Sequence, residues 1–199
     1  MAHTACWYNT SLPSDIIDIL TKDIEIFDSN MKSSKVGYYL SEDRIEEGEL
    51  NTKSRISKHA WIPSSHWIGG FLWYYIQRIN DENFKYDINK FSGNDIQYTK
   101  YTQGSFFTWH TDQDITSFDK STESIRKLSF TLQLSDPMDY TGGDVQFYSI
   151  NGDNSKSFFA PRERGSMIVF DSRTPHRVRK IKSGIRKSLV GWIEGPRWK

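Results

Sequence analysis

Beyond Phe84 the chain is divided into short runs of β-branched and aromatic residues, separated by turn residues. Runs of this length, bounded by Gly, Pro, Asn and Asp, are typical of the strands of an all-β core. In chain order the candidate strands are FKYDI, IQYTKY, SFFTWH, KLSFTLQLS, DVQFYSI, KSFFA, SMIVF, HRVRKI and RKSLVGWI. Eight or more such strands predict a jelly roll (a double-stranded β-helix) or a barrel.

Two helices are predicted before this β-rich part. Ser14 can cap a helix over about 14–28, where apolar residues recur at three- and four-residue spacing. A second helix begins at about 64–65 and ends at Asn80, and its nearly continuous apolar run suits packing against a sheet. Between them we expect a strand near 36–40, followed by a solvated loop. The helices are therefore expected to brace one face of the β-core.

No internal repeat or composition break divides the 199 residues. We expect one domain over 1–199, with a helical N-terminal part over about 1–83 and a jelly-roll core over about 84–196. The 7 Trp, 10 Tyr and 12 Phe supply large rings for its interior.

The charge balance argues against a protein that packages nucleic acid or inserts into a membrane. The 26 Lys plus Arg nearly cancel the 25 Asp plus Glu, for a formal net charge of +1, which supplies no global field to hold a polyanion. No stretch approaches the roughly 18 apolar residues of a membrane span. Cys6 cannot form an internal disulfide, and the N-terminus lacks the pattern of a secretory signal. We expect a reduced, cytoplasmic protein.

A possible metal site begins at His110-Thr111-Asp112, because residues i and i+2 of an extended strand point to the same side. Such a pair alone is common and carries little weight. His176, however, starts a later β-run, and strands that far apart in sequence can face each other in a jelly roll. Two imidazoles and one carboxylate form the facial set of non-haem Fe(II) oxygenases, which leaves three coordination positions open.

An acid-binding site is indicated ten residues after His176. In Arg186-Lys187-Ser188 a guanidinium and a hydroxyl lie on one face of a strand and can together hold a carboxylate. Taken alone, Arg186 could equally be a solvated charge at a strand end. The joint occurrence of both patterns, in this order, favours a functional role.

These motifs together resemble the Fe(II)/2-oxoglutarate-dependent dioxygenases, and within them the prolyl 4-hydroxylase-like branch. The resemblance covers about residues 94–196. Besides the metal and acid motifs, it includes Tyr98-x-x-Tyr101-x-x-Gly104-x-x-Phe107-x-x-His110, Lys127 to Ser135, Asp139-Tyr140-Thr141-Gly142-Gly143-Asp144-Val145, Gly165 to Phe170 and Val190-Gly191-Trp192.

The resemblance implies that His110, Asp112 and His176 hold Fe(II) and that Arg186 pairs with the distal carboxylate of 2-oxoglutarate. It also implies O2 as co-reactant, succinate and CO2 as products, and ascorbate as a possible reductant. Further cosubstrate-binding positions carried over from the family are Ser188, Tyr101, Gln133, Val145, Val178 and Trp192.

Two positions depart from the family pattern. Relatives often carry a Tyr that points at 2-oxoglutarate from the strand 127–135, where this chain offers Gln133, with Thr131 two residues earlier. Phe107 stands where relatives often have Tyr, so that a hydroxyl is replaced by packing alone.

The resemblance favours a peptide or protein substrate with an accessible proline, which would enter between the loop 113–125 and the barrel mouth. That polar loop is a candidate lid, and the loop 29–58 is a second candidate for substrate choice. Two other substrates remain open: a nucleic acid held by Arg177, Arg179 and Lys180, or a small molecule. A further alternative is a non-catalytic jelly-roll binding module.

Other features have ordinary structural interpretations. His3, His59 and His66 are expected to pack or to lie at the surface rather than to bind metal. Gly142-Gly143 is expected to form a turn between strands, because no Lys-Ser/Thr follows it as in a phosphate loop.

Overall fold

The computed structural model describes residues 7–34, 52–113, 123–148 and 157–198. Two α-helices, α1 (Ser14–Ile24) and α2 (Trp67–Ile79), lie in the N-terminal part. The strands are β1 (Trp7–Ser11), β2 (Lys32–Ser33), β3 (Arg55–Ile56), β4 (Lys58–Pro63), β5 (Lys90–Phe91), β6 (Asp95–Tyr101), β7 (Phe106–His110), β8 (Ser124–Gln133), β9 (Tyr140–Gly142), β10 (Val145–Tyr148), β11 (Ser157–Phe159), β12 (Ser166–Asp171), β13 (His176–Val178), β14 (Ile181–Gly184) and β15 (Arg186–Pro196).

The strands form a jelly roll of two main sheets. The larger sheet has the order β1-β12-β8-β15-β6-β4-β2, with β5 also paired to β15. The smaller sheet has the order β11-β10-β13-β7-β3, and β14 pairs with β9 as a separate ribbon. All of these pairings are antiparallel. The prediction of a mainly β fold with a jelly-roll core is confirmed.

Both helices pack on one face of the larger sheet. The apolar stripe of each amphipathic helix is buried there against alternate residues of the strands. This core consists mainly of Ile17, Leu20 and Ile24 from α1, Ile68, Leu72 and Ile76 from α2, and Ile96, Leu128, Phe130, Leu132, Met167, Val169, Leu189 and Ile193 from the sheet. The expectation that the helices brace one face of the β-core is confirmed. Among the described residues, neither helix has the length and apolar character needed to cross a membrane.

The helix boundaries differ from the prediction at both ends of α1. Ser14 is the first helical residue, and Pro13 takes the capping position without a side-chain hydrogen bond. The α-helix ends at Ile24 and continues as a 3₁₀ segment over Glu25–Asn30. The helix itself is confirmed, whereas the capping role of Ser14 is wrong.

The segment FKYDI is not a strand. Phe84 ends a π-helical turn that follows α2, and Lys85 adopts a left-handed conformation with φ of 56°. The side chain of Asn80 donates to the backbone oxygen of Tyr86 and accepts from its backbone nitrogen, both at 2.9 Å. Such local bonds compete with strand pairing, and the strand begins only at Lys90.

Two strands, β1 and β4, form where no strand was predicted. β1 pairs with β12, and β4, in the sequence that leads into α2, pairs with β6. In β4 the inward positions Ala60 and Ile62 are buried while their neighbours are more exposed, but six residues are too short a pattern to recognise without the partner strand. The predicted strand near 36–40 and most of the loop 113–125 lie outside the described residues.

Candidate active site

Antiparallel pairing of β7 and β13 sets His110 directly opposite His176. The register then shifts, because Val178 pairs with Phe107 and leaves one extra residue on β7. This bulge allows both Phe107 and His110 to face the interior of the roll. Asp112 follows two residues after the end of β7, and its backbone nitrogen donates to the oxygen of Ser172 at 2.9 Å. Two distant parts of the sequence are thereby brought to one place.

The three side chains converge on a common point. Nε2 of His110 lies 3.7 Å from Oδ1 of Asp112, and Nε2 of His176 lies 3.5 Å from Oδ2. Their potential ligand atoms all lie within 4.8 Å of one another. These separations exceed that of a good hydrogen bond, and they suit three ligands that share one ion.

Backbone carbonyls select the ring nitrogen that each histidine can offer. Nδ1 of His110 is 2.8 Å from the oxygen of Thr108, and Nδ1 of His176 is 3.0 Å from the oxygen of Thr174. Because a carbonyl only accepts, each Nδ1 carries the hydrogen, and the lone pair of a neutral ring lies on Nε2, which faces Asp112. The His110 ring also stacks on Phe107, with centroids 3.5 Å apart.

The protonation states suit a divalent cation. Burial, with His176 close by, lowers the pKa of His110 to about 3. Burial alone would raise the pKa of Asp112, but the nearby His176, His110 and Arg126 outweigh it and hold this pKa below its usual value. At neutral pH the site therefore offers a neutral imidazole at His110 and an ionised carboxylate at Asp112, the forms in which these groups bind metals.

Arg186 lies on the larger sheet, opposite Tyr101 in the register of β15 with β6. It is only 2% exposed, and its Nη1 lies 3.5 Å from Oγ of Ser188. Its buried Nη2 has no hydrogen-bond partner among the described residues. Burial lowers the pKa of Arg186, but a guanidinium stays charged in proteins. A buried cation with a spare donor and no acid partner in the described chain is suited to an anionic ligand.

One pocket between the two sheets contains both groups. The three converging side chains and Arg186 line it, and so do four of the predicted cosubstrate residues, namely Tyr101, Val145, Val178 and Trp192. Ser188 contacts Arg186 from outside the lining. Gln133 lies outside the lining as well, with its Nε2 3.5 Å from Oγ1 of Thr131, which does line the pocket.

Arg55, which was not predicted from the sequence, lines the same pocket from β3. The spacing that pointed to Arg186 recurs at Arg55-Ile56-Ser57 and could have identified it. Its strand has only two residues, so the local pattern does not mark it as β. Gln97 and Phe170 are further lining residues that were not predicted.

The remaining histidines of the described chain lie elsewhere. His66 caps α2 and lies 3.3 Å from a carboxylate oxygen of Asp23, and Nδ1 of His59 lies 2.9 Å from Oγ of Ser34. Gly142, the last residue of β9, and Gly143, in the short connection to β10, have φ of 74° and 68°. These arrangements agree with the structural roles expected for them.

Comparison with known proteins gives matches over the same region. Residues 96–194 match the family described as the 2OG-Fe(II) oxygenase superfamily. The chain is 40% identical over 91 residues to a PKHD-type hydroxylase of Synechococcus sp. (strain CC9902), a match that covers 46% of this chain and 37% of that protein. The matched part therefore spans well under half the length of this relative.

Solved structures show the same fold over nearly the whole chain. A prolyl-4-hydroxylase of Pseudomonas putida has a TM-score of 0.68 at 20% identity, covering 97% of this chain and 94% of the other. A prolyl hydroxylase of Trichoplax adhaerens, in complex with a peptide fragment of hypoxia inducible factor, has a TM-score of 0.70 at 17% identity, covering 94% and 83%.

Proposed function

Since the chain belongs to the 2OG-Fe(II) oxygenase superfamily through residues 96–194, we propose that it is a dioxygenase that hydroxylates the C–H bond of a peptidyl proline. The family implies Fe(II), 2-oxoglutarate and O2 as its requirements. We further propose ascorbate as the reductant and residues 1–199 as one functional domain.

One observation carries this proposal. The pocket that contains the convergent His110, Asp112 and His176 also contains the buried Arg186, whose Nη2 lacks a partner among the described residues. The donor set is that of a facial Fe(II) site. The guanidinium, which has no carboxylate partner among the described residues, fits the distal carboxylate of a 2-oxo acid. A structural ion pair or a purely apolar core would require neither feature.

The residues of the chain act by binding and orienting. His110, Asp112 and His176 hold the metal, and the carbonyls of Thr108 and Thr174 fix the two rings. When bound, Fe(II) supplies the oxidative chemistry that couples decarboxylation of 2-oxoglutarate to hydroxylation. No side chain is needed as a nucleophile.

The pocket wall holds the cosubstrate and excludes water. Arg186 binds the distal carboxylate. Ser188 contacts Arg186, and the centroid of the Tyr101 ring lies 5.6 Å from the guanidinium carbon. Val145 and Val178 supply an apolar wall, and the low local dielectric strengthens the ionic contact. Gln133 is the weakest member of the proposed set, because it lies outside the lining, as Ser188 does, but contacts Thr131 rather than Arg186.

The proline substrate is supported by the relatives. Two of the similar structures are named prolyl hydroxylases, and one of these is bound to a peptide. The basic residues that would favour a nucleic acid do not line the pocket. Arg177 instead bonds to Gln146 and lies 4.7 Å from the centroid of the Trp109 ring.

The deciding assay is succinate production with Fe(II), 2-oxoglutarate and ascorbate, in the presence of proline-containing peptides or oligonucleotides at about 50 and 200 mM salt. Stimulation by peptides at both salt concentrations, with mass spectrometry showing one added oxygen on proline, is the expected result. Stimulation by oligonucleotides alone, lost at the higher salt, would overturn the prolyl assignment. No turnover of 2-oxoglutarate under any condition would favour a non-catalytic binding module.

A further inference from the structure

A second arginine lines the pocket at the end away from Arg186. Arg55 is 8% exposed and accordingly more than nine-tenths buried. It donates from Nη2 to Oε1 of Gln97 at 2.7 Å, and Gln97 is four residues from Tyr101, which pairs with Arg186. Four residues of strand span about 13 Å. The pocket therefore has a buried cation towards each end.

The metal-site residues lie close to Arg55. The carbon at the centre of its guanidinium lies 4.8 Å from the centroid of the Phe107 ring, and Phe107 stacks on His110. A ligand held by Arg55 would therefore lie beside the metal ligands, where the reacting C–H bond must be placed.

Among the described residues, the hydrogen-bond partners of Arg55 are neutral. Nε donates to Oγ of Ser57 at 2.9 Å, and Nη2 donates to Gln97. In the described part of the chain no carboxylate pairs with this guanidinium. These two bonds orient the fork without compensating its charge. A buried cation in this setting binds an anion in preference to a neutral group of the same shape.

A second donor lies at the same end of the pocket. Trp192 lines the pocket, is 8% exposed, and its buried Nε1 has no acceptor among the described residues. It is two residues from Val190, which pairs with Gln97 in the register of β15 with β6. Because residues i and i+2 of a strand share one face, the indole donor and Arg55 are both placed around Gln97.

We propose that this end of the pocket binds a carboxylate of the prime substrate, next to the residue that is hydroxylated. Arg55 is the specificity-determining residue, and the Trp192 indole is an additional donor. The proposal rests on the proposed hydroxylase function and narrows its substrate to acidic peptides or prolines with a free carboxylate. Arg186 remains assigned to the cosubstrate, at the opposite end.

The first test compares ligands that differ only in the carboxylate. N-acetyl-proline and N-acetyl-prolinamide test a terminal carboxylate, and N-acetyl-Pro-Glu-amide and N-acetyl-Pro-Gln-amide test an acidic side chain. Binding is measured by calorimetry on protein loaded with Mn(II) and saturating 2-oxoglutarate. In at least one pair the acid should bind about 10-fold or more tightly than its neutral partner. Equal affinity in both pairs, or no binding of either acid, overturns the proposal.

The second test assigns the preference to Arg55. Arg55→Gln should remove it, and Arg55→Lys, which keeps the charge without the fork, should retain part of it. Arg177→Gln is the matched control, because this arginine lies on the other face of the smaller sheet and its loss changes the net charge equally. A preference that survives Arg55→Gln, or disappears in Arg177→Gln, overturns the proposal.

Failure of the carboxylate proposal can be distinguished from failure of the proposed oxygenase function. Turnover of 2-oxoglutarate by the wild-type protein without a prime substrate tests the oxygenase assignment alone, whichever ligands bind. A rise in the 2-oxoglutarate requirement of Arg55→Gln as large as that of Arg186→Ala would assign Arg55 to the cosubstrate and overturn the carboxylate proposal. If Arg55→Gln fails to fold, the comparison of acid and amide in the wild-type protein and in Arg55→Lys still decides.

Discussion

The two faces of the larger sheet are both buried but differ in chemistry. On β15, Leu189 and Ile193 point to the helices and join an apolar core, whereas Arg186 and Ser188 point to the other side. The strands beside it repeat this pattern. Their buried residues on the pocket side include Gln97, Thr99, Ser129, Thr131 and Gln133.

This difference separates what holds the fold together from what binds a ligand. Burial of apolar area stabilises a protein by about 25 cal/mol per Å², whereas burial of a polar group is destabilising unless the group is hydrogen-bonded. The helix face, which holds the larger of the two apolar clusters, is therefore expected to contribute more to stability than the pocket face. The pocket face keeps polar groups at some expense in stability, which is expected where a ligand completes their bonding. Substitutions on the helix face should consequently lower stability without weakening ligand binding, whereas substitutions on the pocket face should weaken ligand binding without lowering stability.

The largest effect is expected at the metal site. His176→Ala removes one of three ligands from a facial set, so iron binding and turnover of 2-oxoglutarate should both be abolished, while the apolar core is left intact. Metal content by atomic absorption and succinate release measure the two effects. Normal iron content and activity in this variant would show that the proposed triad is wrong.

Arg186→Ala should mainly raise the concentration of 2-oxoglutarate required. Removal of one partner of a charge-assisted pair in a partly dry pocket costs about 2–5 kcal/mol, so the expected loss of affinity is about 30-fold or more. Titration of succinate production against 2-oxoglutarate measures it. An unchanged requirement would place the cosubstrate elsewhere.

On the opposite face, Leu189→Ala should lower stability without a specific effect on the cosubstrate. Leu189 is fully buried, and loss of such a side chain costs about 2–5 kcal/mol, including the cavity it leaves. Urea unfolding should show this change, with the 2-oxoglutarate requirement of the remaining folded protein unaltered. A selective rise in that requirement would contradict the separation of the two faces.

Arg186→Met should have the opposite effects to Leu189→Ala on stability and on cosubstrate binding. It replaces a buried cation, which has no carboxylate partner among the described residues, by an apolar side chain. The ligand-free protein should therefore gain on the order of 1 kcal/mol in stability while losing cosubstrate binding. Thermal unfolding without 2-oxoglutarate tests this prediction. A destabilised variant would mean that Arg186 is a structural support rather than a ligand site.

The smallest effect concerns pH. Burial, together with Arg55 and Lys32, lowers the pKa of His59 to about 4, below its unfolded value of about 6.5. The unfolded chain therefore takes up this proton first, and the stability due to neutral His59, present above pH about 6.5, is lost as pH falls towards 4. Solvent screening of this partly exposed ring reduces the effect to on the order of 1 kcal/mol. His59→Gln should flatten the stability profile between pH 4 and 6.5, and an unchanged slope would contradict it.

Spacing along the sequence was sufficient to predict which neighbouring site residues lie together. His110 and Asp112 were predicted to share one side because they are two residues apart, and their side chains do converge although β7 ends at His110. Arg186 and Ser188 were predicted in the same way and lie together on β15. The opposition of His110 and His176 depended on strand pairing, and here the order of the motifs along the chain was the guide. The same spacing marks Arg55 as a candidate, but its position in the pocket could not be predicted, because its two-residue strand is defined only by its partner β7.

By itself, the sequence determined the type of each long element, the class of fold and the chemistry of the two i, i+2 pairs, because these depend on periodicities within one segment. Only the tertiary structure decided that Arg55 and Trp192 lie at one end of the pocket and that Gln133 lies outside its lining. It also decided that the segment FKYDI hydrogen-bonds to the side chain of Asn80 instead of pairing with a neighbouring strand. Those outcomes depend on register and on contacts between distant segments. The free energy that selects them comes from partners that no local pattern identifies.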